Sequence, residues 1–134
     1  MASVAQCFET PTKFARYTVA DGAGIARGTL LKLTTPNTAA AATADNDIAG
    51  GIAWMEKVAN DGSTEIVAAL DGTWGIISST GAPISIGNQV VIKGANYIGP
   101  YTTLDDEKGY VLGRALETIG TAAATQIKVR VNVL

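Results

Sequence analysis

The chain has 134 residues with 10 basic and 12 acidic side chains, so its formal net charge is −2. That balance argues against a dedicated nucleic-acid-binding protein, because neutralising phosphates requires a concentrated basic surface. The chain contains no histidine and one cysteine, so the usual general base, the commonest metal ligand and any intramolecular disulfide are missing. We therefore predict a protein that is not an enzyme, with no catalytic residue, no cofactor and no metal site.

Hydrophobic residues make up 47% of the chain and charged residues 16%, below the roughly 25% charged residues of an average soluble domain. Every apolar run is interrupted long before the ~18 residues of a membrane span, so we predict no membrane association. The N-terminus has no basic residue ahead of an apolar core and does not resemble a secretory signal. We expect synthesis in a host cytoplasm and a surface that is largely covered by partner proteins.

The chain opens with a polar segment, residues 1–12, that has neither helical nor strand periodicity. Its apolar anchors are Val4, Cys7 and Phe8, and Pro11 biases Thr10 towards an extended backbone. Such a segment does not build a core, so we predict an extended N-terminal arm that is disordered or ordered by a partner. An extended arm can add a strand to the sheet edge of a neighbouring subunit.

From residue 13 onwards, short apolar runs with a period near two alternate with Gly, Asn, Asp and Pro, which is typical of an all-β domain. We predict a single β-domain, residues 13–134, folded as a small β-barrel or β-sandwich of about eight short strands. The last strand has the clearest alternation, with Ile127, Val129, Val131 and Val133 on one face. The predicted strands cover residues 13–19, 29–33, 52–58, 64–70, 74–78, 89–93, 110–119 and 127–133.

Two local patterns refine this prediction. The Asn60-Asp61-Gly62 turn predicts that residues 52–58 and 64–70 pair as a hairpin. The Ala-rich stretch 38–44 is the one helix-compatible segment, and it is long enough for at most one or two helical turns.

An internal repeat divides the chain into two similar halves. The glycine-rich segment 22–28 and the strand after it align with residues 81–87 and the strand after them, at an offset of 59 residues. Residues 51–53 align with 113–115 at an offset of 62. Each half has too few strands to be stable alone, so we expect the two halves to share one core.

Several motifs share features with functional sites, but each is better explained by a structural role. Asp45, Asp47 and Glu56 have the spacing of a calcium loop, but Ala49 stands where an oxygen ligand is required. The acidic run 105–107 is interpreted as a loop tip, and the glycines in 22–28 as a turn. Cys7 has no histidine partner and is interpreted as a small apolar side chain.

The aromatic residues allow two interpretations. Trp54 is favoured as a core residue, whereas Trp74 is left open between core and surface. Together with three tyrosines they could instead form a sugar-stacking surface. The tyrosines are Tyr97, Tyr101 and Tyr110.

Three stretches carry a resemblance to a known family: GNQVVI (87–92), VLGRALE (111–117) and IKVRVNVL (127–134). With the preceding polar arm, they resemble the capsid decoration, or cement, proteins of tailed bacteriophages. The resemblance covers residues 80–134 well, and the first half only through the internal repeat.

The resemblance implies a β-rich virion protein on the capsid exterior that binds the major capsid protein, stabilises the shell and self-associates as a homotrimer. It transfers no catalytic residue. We predict that the arm, with Val4, Cys7, Phe8, Thr10 and Pro11, is the principal capsid-binding element, strengthened when three arms bind together. The alternative is a carbohydrate- or receptor-binding β-module of a virion.

Overall fold

The computed structural model describes residues 4–44, 47–79, 83–101, 111–120 and 124–133. Within these ranges every regular element is a strand, which confirms the all-β prediction. There are more strands than the predicted eight, because several carry Gly, Ala or polar residues in place of an alternating apolar pattern. The strands are Gln6–Glu9 (β1), Phe14–Thr18 (β2), Leu30–Thr35 (β3), Thr38–Ala41 (β4), Ala49–Ala53 (β5), Glu65–Ala69 (β6), Asp71–Ser78 (β7), Gln89–Ile92 (β8), Tyr97–Pro100 (β9), Val111–Ala115 (β10) and Gln126–Asn132 (β11).

The strands form two small five-stranded barrels. The N-terminal barrel closes in the order β2-β4-β3-β5-β6. The C-terminal barrel follows the order β7-β11-β10-β8-β9, and a parallel pairing of β9 with β7 completes it. Strand β1 adds to the same edge of β7, so the N-terminal segment belongs to the C-terminal barrel's sheet.

The two barrels are structural repeats of one another. Each has one parallel pairing, β2 with β4 and β7 with β9, and the remaining pairings correspond strand for strand. The isolated bridge between Ile25 and Lys57 recurs between Ile84 and Ile119, at the offsets of 59 and 62 residues read from the sequence. The predicted division into two similar halves is therefore confirmed.

The barrels pack against each other through a shared apolar cluster. Leu30, Ile52 and Ala69 of the N-terminal barrel are fully buried and belong to the same cluster as Trp74 and Leu112 of the C-terminal barrel. A second cluster occupies the N-terminal barrel itself. Its buried members are Val19, Ile25, Leu31, Ala39, Ala53, Ile66 and Ala68.

The C-terminal strand has the predicted orientation. Ile127, Val129 and Val131 are buried, whereas Lys128 and Arg130 are exposed. Strand β11 pairs with β7 on one side and β10 on the other, so its buried face contributes to the centre of the sheet.

The predicted hairpin is confirmed in its pairing, since Ile52 lies opposite Ala69 and Ala53 opposite Ala68. Strand β5 ends at Ala53, so the connection is longer than the predicted turn. Asn60 and Gly62 both adopt positive φ within it, as a turn of this composition requires.

Residues 38–44, the one helix-compatible stretch of the sequence, form no helical turn. Thr38–Ala41 form β4, which pairs with β3 and β2. The preceding Asn37 adopts a φ of 56° and reverses the chain at Pro36-Asn37. Alanine has the highest intrinsic helix propensity, but strand pairing in a closed barrel overrides propensity in this short segment. The small Ala39 side chain is buried inside the narrow barrel.

Candidate binding surfaces

The predicted N-terminal arm is attached to its own chain. In β1, Gln6 lies opposite Gly75, Cys7 opposite Trp74 and Glu9 opposite Thr73, in antiparallel register with β7. A register shift between Cys7 and Glu9 leaves Phe8 as an extra residue, which is the pattern of a β-bulge. The segment is extended, as predicted, but β7 of the same chain orders it from residue 4 onwards.

Contacts on both sides of β1 fix this position. Before the strand, Ala5 is buried and its backbone N–H donates to the carbonyl of Gly28 at 2.8 Å. After it, Pro11 is buried, and the backbone N–H and hydroxyl of Thr12 each donate to a carboxylate oxygen of Asp71 at 2.6 Å. These contacts hold the segment against both barrels.

Asp71 is the polar anchor of this attachment. It also accepts a hydrogen bond from the backbone N–H of Lys13 at 3.0 Å. The Thr12 hydroxyl, with smaller contributions from the two backbone donors, holds the pKa of Asp71 below its ordinary value. Asp71 therefore accepts these bonds as a carboxylate.

The predicted binding residues of the arm differ in accessibility. Phe8 is 47% and Val4 40% exposed, and Thr10 is exposed as well. Cys7 is half-buried, and burial raises the pKa of its thiol, partly offset by the charge of Arg27. Phe8 and Val4 are thus available to a partner protein, whereas Pro11 is not.

Phe8 is held on the outer surface of the C-terminal barrel by a cation. The ammonium group of Lys128 lies 5.4 Å from the centre of the Phe8 ring, within the range of a cation–π contact. The ring therefore lies on the outer surface of the barrel with 47% of the residue exposed.

A second exposed aromatic surface lies where the two barrels meet. Phe14, which is 45% exposed, has its ring 5.6 Å from that of Trp54, and Trp54 packs edge-on against buried Trp74 at 6.1 Å. The guanidinium of Arg27 lies 4.4 Å from the centre of the Trp54 ring. Trp, Phe and Arg are enriched in the cores of protein interfaces, and sequence patterns alone single out neither Phe14 nor Arg27.

The aromatic residues proposed for sugar stacking are not all available. Trp74 is 1% exposed and belongs to the core, which decides the question left open for it. Trp54 is half-buried and packs against the core cluster, as favoured from the sequence. Tyr97 and Tyr101 are half-buried, and Tyr110 lies outside the described residues.

The acidic motifs contribute no metal cluster in the described part of the chain. Asp47 accepts hydrogen bonds from the backbone N–H groups of Thr43 and Ala44, at 2.8 and 2.9 Å. Asp45 and the acidic run 105–107 lie outside the described residues. Within the described ranges there is no helix long and apolar enough to cross a membrane.

The outward face of the C-terminal barrel carries a cationic row. Arg114 on β10 lies directly opposite Arg130 on β11, and both side chains are exposed. Within the described ranges, neither guanidinium has a hydrogen bond or an ion pair. Sequence analysis alone could not find this pair, because it depends on the register between two strands.

Comparison with known proteins shows a likeness to a solved structure. A scan against protein-family models and a search of curated proteins found no match. Among solved structures, the fold is similar to the crystal structure of the N base of head fiber gp8.5 from bacteriophage phi29, with a TM-score of 0.53 and 15% sequence identity. The match covers 91% of this chain and 98% of that chain, so it includes both barrels and shows that the two chains share a fold.

Proposed function

We propose that this chain is a structural protein of a phage head that binds the outer surface of the capsid and stabilises the shell. The observation that carries the proposal is the fold likeness, over 91% of the chain, to the base of a phage head fiber. The resemblance of three sequence stretches to capsid decoration proteins supports the same role. This support rests on the sequence alone and is therefore independent of the structural match.

The surface chemistry is compatible with this role. The chain is sparsely charged, at 16%, and exposes aromatic side chains at Phe8 and Phe14. Such a surface is suited to burial against neighbouring proteins.

The proposed partners are the major capsid protein and further copies of this chain as a homotrimer, with no nucleic acid, membrane or cofactor and no enzymatic activity. The proposed location is the virion exterior, after synthesis in the host cytoplasm.

The capsid contact is assigned to the exposed residues of the N-terminal segment. Phe8 and Val4 are the apolar candidates, because each exposes at least 40% of its surface on a segment that is held in place. A pre-ordered segment loses less conformational entropy on binding than a free arm. Simultaneous attachment of several copies would multiply the affinity.

The test is co-sedimentation of the full-length protein with purified capsids of its phage that lack it, followed by thermal disruption of the bound capsids. Retention together with a higher disruption temperature is the expected result. Retention without a change in that temperature would support a capsid-bound head protein and contradict the stabilising role. Capsids of an unrelated phage are the control, and absence of retention would overturn the proposal.

A further inference from the structure

Strand pairing places three residues side by side at equivalent positions of the two barrels. In the N-terminal barrel this row is apolar and buried, and in the C-terminal barrel it contains the two exposed arginines. In the N-terminal barrel, Ile52 lies opposite Leu30 on β3 and Ala69 on β6. In the C-terminal barrel, Arg114 occupies the position of Ile52 and lies opposite Gln89 and Arg130. The row Leu30–Ile52–Ala69 therefore corresponds to the row Gln89–Arg114–Arg130.

The first row is buried because the other barrel covers it. All three of its side chains have no exposed surface, and they share an apolar cluster with the C-terminal barrel. The side-chain oxygen of Asn96, at the β8–β9 turn, accepts a hydrogen bond from the backbone N–H of Leu30 at 3.0 Å. This side of the repeating unit is thus a packing face, and the β8–β9 turn of the neighbouring barrel is part of what covers it.

The complementary turn is also repeated, but within the described residues its asparagine side chain stays exposed. Asn37, at the β3–β4 turn, is the counterpart of Asn96 at an offset of 59 residues, with a φ of 56° against 64°. Asn96 is 6% exposed, whereas Asn37 is exposed. In the described part of the chain, the N-terminal barrel therefore has the covered face and the exposed turn, and the C-terminal barrel has the exposed face and the docked turn.

We propose that the exposed row Gln89–Arg114–Arg130 binds the β3–β4 turn of a second copy of this chain, with Asn37 of that copy in the position that Asn96 occupies within the chain. This inference rests on the self-association included in the proposed function and names its contact surface. The contact joins two different surfaces, so it is heterologous and can repeat from copy to copy.

The chemistry of the two exposed surfaces is complementary. Two arginines directly opposite each other destabilise an isolated sheet, and each guanidinium offers five N–H donors that need acceptors. The exposed turn of the second copy offers the side-chain oxygens of Thr35 and Asn37 as acceptors. The carbonyls of Pro36 and Asn37 already accept hydrogen bonds from the Thr38 hydroxyl and the Thr18 backbone N–H. Within the chain, the corresponding turn carries Gly94 and Ala95 and lies beside Leu30 of the apolar row. The apolar row thus faces a turn with small side chains, and the arginine row would face a turn with polar side chains.

A second copy is favoured over an acidic ligand such as nucleic acid. The row contains two arginines in a chain whose net charge is −2, whereas nucleic-acid binding requires a concentrated basic surface that neutralises several phosphates. Within the chain, the equivalent face already binds a barrel of the same fold.

The test uses site-directed cross-linking in a Cys7→Ser background. Protein with Asn37→Cys is mixed with protein carrying Gln89→Cys and treated with a short bis-maleimide, both in solution and on purified capsids. We expect a cross-linked dimer from the mixture and none from either variant alone, because a heterologous contact brings together different positions. Gly120→Cys, an exposed position on the same barrel, replaces Gln89→Cys as the control.

An independent arm measures self-association by analytical ultracentrifugation. The double variant Arg114→Glu/Arg130→Glu should weaken association about tenfold or more, whereas Arg16→Glu, an exposed strand arginine of the N-terminal barrel, should not. Association of the wild-type protein without the Asn37–Gln89 cross-link would overturn this contact and leave self-association standing. A monomer both in solution and on capsids would overturn both proposals, and if the double variant fails to fold, the cross-link alone decides.

Discussion

The ammonium group of Lys57 lies 2.8 Å from a carboxylate oxygen of Asp61, at the position where the C-terminal barrel has the apolar residue Ile119. Lys57 is 3% exposed. It also donates to the carbonyls of Asp21 and Val58, at 2.9 and 2.7 Å, and lies 3.4 Å from the Asp21 carboxylate. The buried ammonium group of Lys57 therefore connects the loop that carries Asp21 with the loop that carries Asp61.

We predict that Asp61→Asn lowers the melting temperature at neutral pH, because Lys57 loses its nearest carboxylate while it stays buried. The hydrogen bond from Lys57 lowers the pKa of Asp61 below its ordinary 3.8. A lowered pKa stabilises the fold above 3.8, and this contribution is lost as the pH falls through the folded-state value. The difference between wild type and Asp61→Asn should therefore shrink in thermal unfolding below pH 3.8.

Glu65→Gln is the control for this prediction, since Glu65 is exposed and has no described ion pair. At high pH the complementary effect is expected. Burial opposes the charge of Lys57, but its bonds to Asp61 and Asp21 outweigh burial and raise its pKa above 10.5. The stability that Lys57 contributes is thus lost only as the pH rises through that raised value. An equal melting temperature for Asp61→Asn and wild type at neutral pH would contradict a stabilising role for the Lys57–Asp61 ion pair.

The second prediction compares two equivalent glycines. Gly28 and Gly87 have φ of 91° and 88°, a left-handed conformation that costs a non-glycine residue about 1–2 kcal/mol. A Cβ at Gly87 meets no atom within 4 Å, whereas one at Gly28 collides with the Ala5 carbonyl and the Val4 side chain. Gly28→Ala should lower the free energy of unfolding by clearly more than Gly87→Ala.

Urea unfolding measures this difference, and hydrogen exchange locates it. Faster exchange of the Ala5 amide, which bonds to Gly28, is expected in Gly28→Ala and not in Gly87→Ala. Equal losses of stability would mean that attachment of residues 4–5 contributes little to the fold.

The features predictable from the sequence are those with a local signature. The alternation of Ile127, Val129 and Val131 predicted β11, and the 59- and 62-residue offsets predicted the two halves. Strand β9, Tyr97–Pro100, was missed because Gly99 and Pro100 weaken any strand pattern. Strand β1 was missed because an exposed edge strand with a bulge buries too few side chains to show a period of two.

The binding surfaces depend on relationships that lie far apart in the sequence. Arg114 and Arg130 face each other through the register of β10 with β11, which no single segment encodes. The burial of Trp74 likewise depends on the N-terminal barrel, because Trp54 of that barrel packs edge-on against the Trp74 ring. Pairing between distant segments decides which of these side chains a partner can reach.

The third prediction concerns truncation after Gln126. The deletion removes the buried Ile127, Val129 and Val131, each worth about 1.5–3 kcal/mol of burial, from a strand paired on both sides. That loss is comparable with the whole stability of an average domain, about 5–15 kcal/mol. We expect no cooperative thermal transition, whereas a chain ending at Val133 should retain one.

The last prediction tests Phe8 as the capsid anchor. Phe8→Ala should weaken retention on capsids by more than a single contact would, because the proposed homotrimer would lose the proposed anchor on each of its copies. Phe14→Ala is the matched control: Phe14 is 45% exposed against 47% for Phe8, but lies at the junction of the barrels beside Trp54. Deleting the whole segment is less informative, since it also removes buried Ala5 and the pairing with β7. Retention is measured by sedimentation with purified capsids after both variants are shown to melt cooperatively. A greater loss of retention for Phe14→Ala than for Phe8→Ala would contradict this prediction and indicate that the aromatic surface between the barrels contacts the capsid.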